Sequence, residues 1–202
     1  RPHGLHIRFK NNEEIDVQSV VLATPAWNAG PLVDGMAPEM AQTLREIPGA
    51  PLAVVALGWK RDEFPHPLDG FGFLVPRGEG LTILGSLWTS SIFTGRTDEN
   101  HVLLRTMIGG AHCPTELEKT DEELLATVRA DLRDVFGNLP DPVFTRIYRF
   151  ENGIPQYTVG HSERVRVVEE ACERLPGLYV AGNSYHGISV NACVTDAGPL
   201  AD

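Results

Sequence analysis

Between Leu178 and Gly198 the chain reads LYVAGNSYHGISVNACVTDAG. These residue types, at this spacing, are suited to holding an anion. The apolar run from Leu178 to Ala181 has the pattern of a strand buried on both faces. Gly182 permits a turn that a side chain would obstruct. Gly187, Ile188 and Ser189 then lead into a helix through Ala192, Val194 and Ala197. A strand, a glycine turn and a helix start aim unpaired backbone N–H groups and a positive dipole end at one point, which favours phosphate or pyrophosphate. The same pattern also describes an ordinary β–turn–α unit without a ligand, so the residues alone leave both readings open.

Other chemistries find less support. No serine stands in a G-x-S-x-G elbow, and the seven histidines are scattered without ligand spacing. His186 lies inside the motif and reads as a solvent-facing or hydrogen-bonded structural residue. The three cysteines, Cys113, Cys172 and Cys193, are odd in number and far apart. That suits reduced thiols in a cytoplasm better than a disulfide framework, and Cys193 reads as a small buried apolar residue. A net charge of −10 argues against a nucleic-acid surface, which needs a basic patch. No run approaches the ~20 apolar residues of a membrane-spanning helix.

The elements that must position the motif can be read from periodicity. Leu5, Ile7 and Phe9 alternate with polar residues as in a half-buried strand. Asn11-Asn12 turns the chain into strands through Ile15, Val17 and residues 20–23, which Pro25 ends. A short helix is expected over 36–47, with Met40, Leu44 and Ile47 on one face. Residues 52–59, 71–76, 81–88 and 102–108 read as short strands of a largely antiparallel sheet. Thr120 and Glu123 form a capping box for a helix over 120–136, and Gly137 stops it. A strand follows near 143–150, then a helix that Ser162 is expected to cap, and the strand from Leu178. The fold class is mixed α and β.

Several motifs carry a family resemblance. Residues 176–185, PGLYVAGNSY, followed by Gly187, Val190, Asn191 and Cys193, resemble the C-terminal flavin-binding signature of the protoporphyrinogen oxidase family. VVLATPA at 20–26, GFGFLVP at 70–76, LGSLWTSS at 84–91, LRTMIGG at 104–110 and IPQY at 154–157 recur in family order.

The resemblance implies part of an FAD-binding dinucleotide fold carrying an inserted, largely antiparallel substrate domain with helices. Residues 1–25 and 161–202 would belong to the FAD-binding part, and 26–160 to the substrate domain. Gly182 and Asn183 would approach the FAD cofactor, with Gly187 in the same turn, and Ile188, Ser189 and Val190 would offer N–H groups or pack on its ring. Leu74, Leu87 and Met107 match positions that sandwich a macrocycle, although periodicity alone makes them core. The resemblance places the family's carboxylate-clamp arginine in the half that this sequence does not contain; Arg77, Arg96 and Arg105 are candidates only by proximity to the pocket strands, and solvated surface charge is the favoured reading for each.

The implied activity is oxidation of a porphyrinogen to a porphyrin with dioxygen, within haem biosynthesis. Such chemistry needs no general acid–base constellation in the protein, because the cofactor carries it. The family's G-x-G-x-x-G fingerprint is not in this sequence. The expectation is therefore the C-terminal portion of a longer cytoplasmic enzyme, inactive alone. Membrane association and a homodimer stay open. So do two alternatives: another amine-oxidase-like flavoenzyme, and a non-catalytic binding domain.

Overall fold

A computed structural model describes residues 4–198. The first three residues, and residues 199–202 where the final helix is expected to continue, lie outside the described residues. The chain begins with β1 (Leu5–Arg8), β2 (Glu14–Val17), β3 (Val20–Leu22), α1 (Ala26–Val33), α2 (Pro38–Arg45) and β4 (Gly49–Lys60). It continues through β5 (Gly72–Leu74), β6 (Ile83–Trp88), α3 (Thr89–Ile92), β7 (His101–Gly109) and α4 (Asp121–Phe136). The last elements are β8 (Phe144–Pro155), α5 (His161–Arg174), β9 (Leu178–Val180) and α6 (Val190–Ala197).

Two compact units result. One combines residues 1–49 with 155–202, and the other is 50–154. The sequence places the outer boundaries at 25 and 161, whereas the contacts divide the chain after Gly49 and before Pro155. The difference has a physical cause. Ala26, Ala29, Met40 and Leu44 from α1 and α2 share one core with Val165, Val168 and Leu178, so both helices belong with the outer segments.

The outer unit is closed by β3 and β9, which pair in parallel with Val20 opposite Leu178 and Leu22 opposite Val180. Helix α1 has no counterpart in the sequence pattern, because Gly30 and Pro31 both weaken a helix. Its N-cap, Pro25, supplies no side-chain cap. Ser184 supplies one from far along the chain, its Oγ accepting the Ala26 N–H at 3.0 Å. Helix α5 also differs from expectation. It begins at His161 after a left-handed Gly160, and Ser162 does not cap it.

The inner unit is a five-stranded sheet in the order β5-β6-β7-β4-β8, with α4 packed on one face. Alternation assigns the faces. Val102, Leu104 and Ile108 of β7 join Val55, Leu57 and Trp59 of β4 in a core with Leu124, Val128 and Leu132 of α4. The Thr120–Glu123 capping box is formed in both directions, and Gly137 ends α4 with φ of 82°. Asp131, buried on α4, fixes the start of β6: one carboxylate oxygen accepts from the N–H groups of Thr82 at 2.7 Å and Ile83 at 2.8 Å. Removing that acceptor leaves two inward N–H groups unpaired. Asp131→Ala is therefore expected to cost about 2–3 kcal/mol, read by urea unfolding of the full-length protein. A loss below ~0.5 kcal/mol would contradict this anchoring role.

Candidate functional site

Two separate regions hold the residues singled out in the sequence, one in each unit. In the outer unit the chain leaves β9 through Ala181, whose N–H donates to the Leu22 carbonyl at 3.1 Å, and turns at Gly182 with φ of 113°. A side chain is disfavoured there by conformation rather than crowding, since a Cβ would meet nothing nearer than the Ala23 carbonyl at 3.9 Å. Gly187 is required for a different reason. A Cβ there would sit 2.5 Å from the Cβ of Ala192, so this glycine lets the turn lie on α6.

Ser189 caps α6, its Oγ accepting the Ala192 N–H at 3.0 Å. The N–H groups of Val190 and Asn191 have no intrahelical acceptor, and they stand at the positive end of the helix. Ile188 and Val190 are exposed beside them, 54% and 79% accessible, and form an apolar shelf next to the donors. Gly182 and Asn183 are half-buried. The corner thus brings donors, an apolar shelf and an open glycine together in a few residues.

The turn is held by residues whose role the sequence does not announce. Tyr157 stacks on His161 with ring centroids 3.8 Å apart and donates its hydroxyl hydrogen to the Asn183 carbonyl at 2.9 Å. Burial raises the Tyr157 pKa, opposed by a backbone hydrogen bond with Gly187. His161 Nε2 lies 3.0 Å from the Tyr185 carbonyl, which can only accept, so Nε2 carries the proton. Ser184, between them, is the remote cap of α1. The signals available in sequence were the IPQY motif that ends at Tyr157 and the four-residue spacing from Tyr157 to His161.

His186 faces solvent and lies 3.1 Å from a Glu169 carboxylate oxygen, in keeping with a structural role. A cavity of about 730 Å³ runs beside β9, against Cys172, Tyr179 and His186, but Glu169, Glu173 and Asp196 line it. That acidic lining repels phosphate, and apart from His186 the turn over 182–190 contributes nothing to it.

In the inner unit, register brings Leu74, Leu87 and Met107 onto one face, opposite the face that α4 covers. Leu74 and Met107 both pair with Gly85, on either side of β6. Leu87 pairs with Gly72 and Arg105. The inward neighbours Ser86 and Thr106 are buried and hydrogen-bonded to each other at 3.0 Å, which fixes Leu87 and Met107 outward. Leu74 is 76% accessible. The core reading of these three residues therefore gives way to an open apolar sheet face. Of the arginine candidates, Arg77 is bound to His112 elsewhere. Arg96 and Arg105 line one trough on this sheet with Arg146, which the sequence reading did not single out. The period-two series Phe144, Arg146, Tyr148 was the available signal.

A parallel strand pair thus leads into a glycine turn and helix start, and a large antiparallel sheet is inserted in the chain between its two strands. The chain belongs to the flavin containing amine oxidoreductase family, whose profile matches residues 1–198. It is 30% identical to a chloroplastic protoporphyrinogen oxidase of Nicotiana tabacum, over 98% of this chain and 38% of that protein. To a coproporphyrinogen III oxidase of Propionibacterium freudenreichii it is 31% identical, over 98% of this chain and 37% of the relative. The chain thus spans less than two-fifths of these relatives' lengths. A crystal structure assigned as a protoporphyrinogen oxidase from an Exiguobacterium species superposes with a TM-score of 0.78 at 25% identity, over 99% of this chain and 43% of that one. The reduced UDP-galactopyranose mutase structure shares the fold, with a TM-score of 0.72 at 16% identity over 88% of this chain and 38% of that one.

A half-buried thiol and a buried phenol set an alkaline limit on the outer unit. Burial pushes the Cys172 thiol up to about 11 and drives the Tyr185 hydroxyl upward as well. Both fold in the neutral form. Their contribution is whole below their unfolded values, about 8.5 and 10, and is lost as pH rises towards the folded ones. The Tyr185 hydroxyl is buried and has no hydrogen-bond partner among the described residues. Tyr185→Phe is therefore expected to raise stability by about 1 kcal/mol at neutral pH and to lessen the fall above about pH 9, followed by thermal unfolding across pH. A destabilised Phe variant would show that the hydroxyl has a partner after all.

Proposed function

We propose that this chain is the part of an FAD-dependent porphyrinogen oxidase that carries the macrocycle-facing sheet and one flavin-holding corner. The reaction is conversion of a porphyrinogen to a porphyrin with dioxygen as acceptor, in haem biosynthesis. The observation that carries the reading is the exposed face on which Leu74, Leu87 and Met107 stand in adjacent strand positions. Three unpolar side chains with solvent access, in a chain resembling porphyrinogen oxidases, suit the flat apolar face of a tetrapyrrole.

The residues present fit a flavin at the corner. Gly182 has free space before it, Val190 and Asn191 offer N–H groups without intrahelical acceptors, and Ile188 and Val190 present apolar surface. These residues would hold the cofactor's polar and ring portions, and Tyr157 and His161 keep their backbone in place through Asn183 and Tyr185. The chemistry a bound flavin supplies is hydride acceptance and return of the electrons to dioxygen. The chain's own part is binding, orientation and exclusion of water. The free cysteines Cys113, Cys172 and Cys193 accord with a reducing compartment, as in cytoplasm. Among the described residues no helix is long and apolar enough to cross a membrane.

The test is to purify the full gene product, record its flavin spectrum, and follow oxygen consumption with protoporphyrinogen, coproporphyrinogen and a diamine. A yellow protein that oxidises a porphyrinogen and ignores the diamine is expected. A colourless protein, or one that turns over only the diamine, would refute the proposal. Leu87→Ala is expected to lower kcat/KM for the porphyrinogen about tenfold with little change in unfolding midpoint, because the side chain lies outside the core.

A further inference from the structure

The strongest unassigned feature is a set of three arginines with no carboxylate partner among the described residues. The chain carries a net charge of −10, and several of its other arginines are held by carboxylates. Arg8 meets Glu14, Arg45 meets Asp34, Arg149 meets Asp121, and Arg166 meets both Glu163 and Glu170. Among the described residues no carboxylate lies within ion-pair reach of Arg96, Arg105 or Arg146. Yet these three line one cavity of about 270 Å³, together with Ala56, Leu103, Phe144 and Tyr148.

Two of the guanidiniums are positioned by neutral neighbours. Arg105 Nε donates to Thr89 Oγ1 at 3.1 Å, and Arg96 lies over the Phe93 ring, 5.7 Å from its centroid. Neither contact satisfies the charge. Gathering like charges over apolar surface is unfavourable unless an anion completes the group. The arrangement also leaves the outer N–H forks free for planar, bidentate acceptors, which is carboxylate geometry. The trough is continuous with the apolar face: Arg105 sits opposite Leu87 on β6 and opposite Ala56 on β4, two residues from Met107.

We propose that Arg96, Arg105 and Arg146 bind substrate carboxylates, and that their number selects a tetracarboxylate macrocycle of the coproporphyrinogen type over a dicarboxylate. This rests on the porphyrinogen reading above and deepens it. A dicarboxylate presents apolar substituents where a tetracarboxylate presents acids. Against this trough those substituents leave partly desolvated guanidiniums unmatched, and the site thereby discriminates.

The experiment uses the flavin-loaded full gene product and three stable porphyrins: coproporphyrin III, its tetramethyl ester, and the dicarboxylate mesoporphyrin IX. Dissociation constants are read from the shift of the main porphyrin absorption band. Coproporphyrin III is expected to bind at least about tenfold tighter than either of the others. Arg105→Gln and Arg146→Gln should each weaken coproporphyrin about tenfold and leave the ester unchanged. Arg105→Lys should recover part of the loss and serves as the folding control, alongside the unfolding midpoint of each variant. Equal affinity for acid and ester, or well-folded variants that bind coproporphyrin as the parent does, would overturn the proposal. If the parent protein still oxidises a porphyrinogen in that case, the functional reading survives. If it oxidises none, both fail.

Discussion

The parallel pairing of β3 with β9 is the constraint on which the rest depends. Three residues near the start of the chain, Val20–Leu22, lie against three near its end, Leu178–Val180. A parallel pair cannot be joined by a tight turn, so it requires a long crossover. Here that crossover includes an entire second unit, residues 50–154. Closing so long a loop is entropically costly and must be offset by burial, which Leu22, Leu178 and the helices α1, α2 and α5 provide in a shared core. Ser184 adds the same kind of closure in polar form, since it completes the first turn of α1 from the segment that follows β9.

This closure determines where the chemistry-bearing turn stands. Once β9 is fixed on β3, the chain must leave at Ala181 and reach α6 through a turn whose carbonyls are held by Tyr157 and His161. Two glycines serve that turn for unlike reasons, one conformational and one steric. The inner unit solves a different problem. Its sheet covers one face with α4 and leaves the other open, and strict alternation sends Ser86 and Thr106 inward while Leu87, Arg105 and Met107 face out. The open face is apolar and is bordered by Arg96, Arg105 and Arg146.

Much of this was legible in the residues. The capping box at Thr120, the stop at Gly137 and the period-two strands appear as their chemistry dictates, because local patterns decide them. Helix α1 was not legible, since Gly30 and Pro31 oppose it and only tertiary packing and the remote Ser184 cap sustain it. Nor was the start of α5, where a left-handed glycine replaces the expected serine cap. The boundaries between units were missed for the same reason: α1 and α2 choose their core through contacts with α5, distant in sequence. For the site, the three apolar candidates came from the family resemblance and the candidate turn from motif spacing. It could not find Tyr157, His161 or Arg146, whose roles arise from stacking and sheet register.

The central claim is that the turn from Gly182 into α6 holds the flavin. Amide hydrogen exchange on the full-length protein, compared with and without FAD, tests it most directly. The account predicts that protection on FAD binding rises across residues 182–191, including the Val190 and Asn191 amides that lack intrahelical acceptors. Exchange in that segment unchanged by FAD, while other segments become protected, would contradict it.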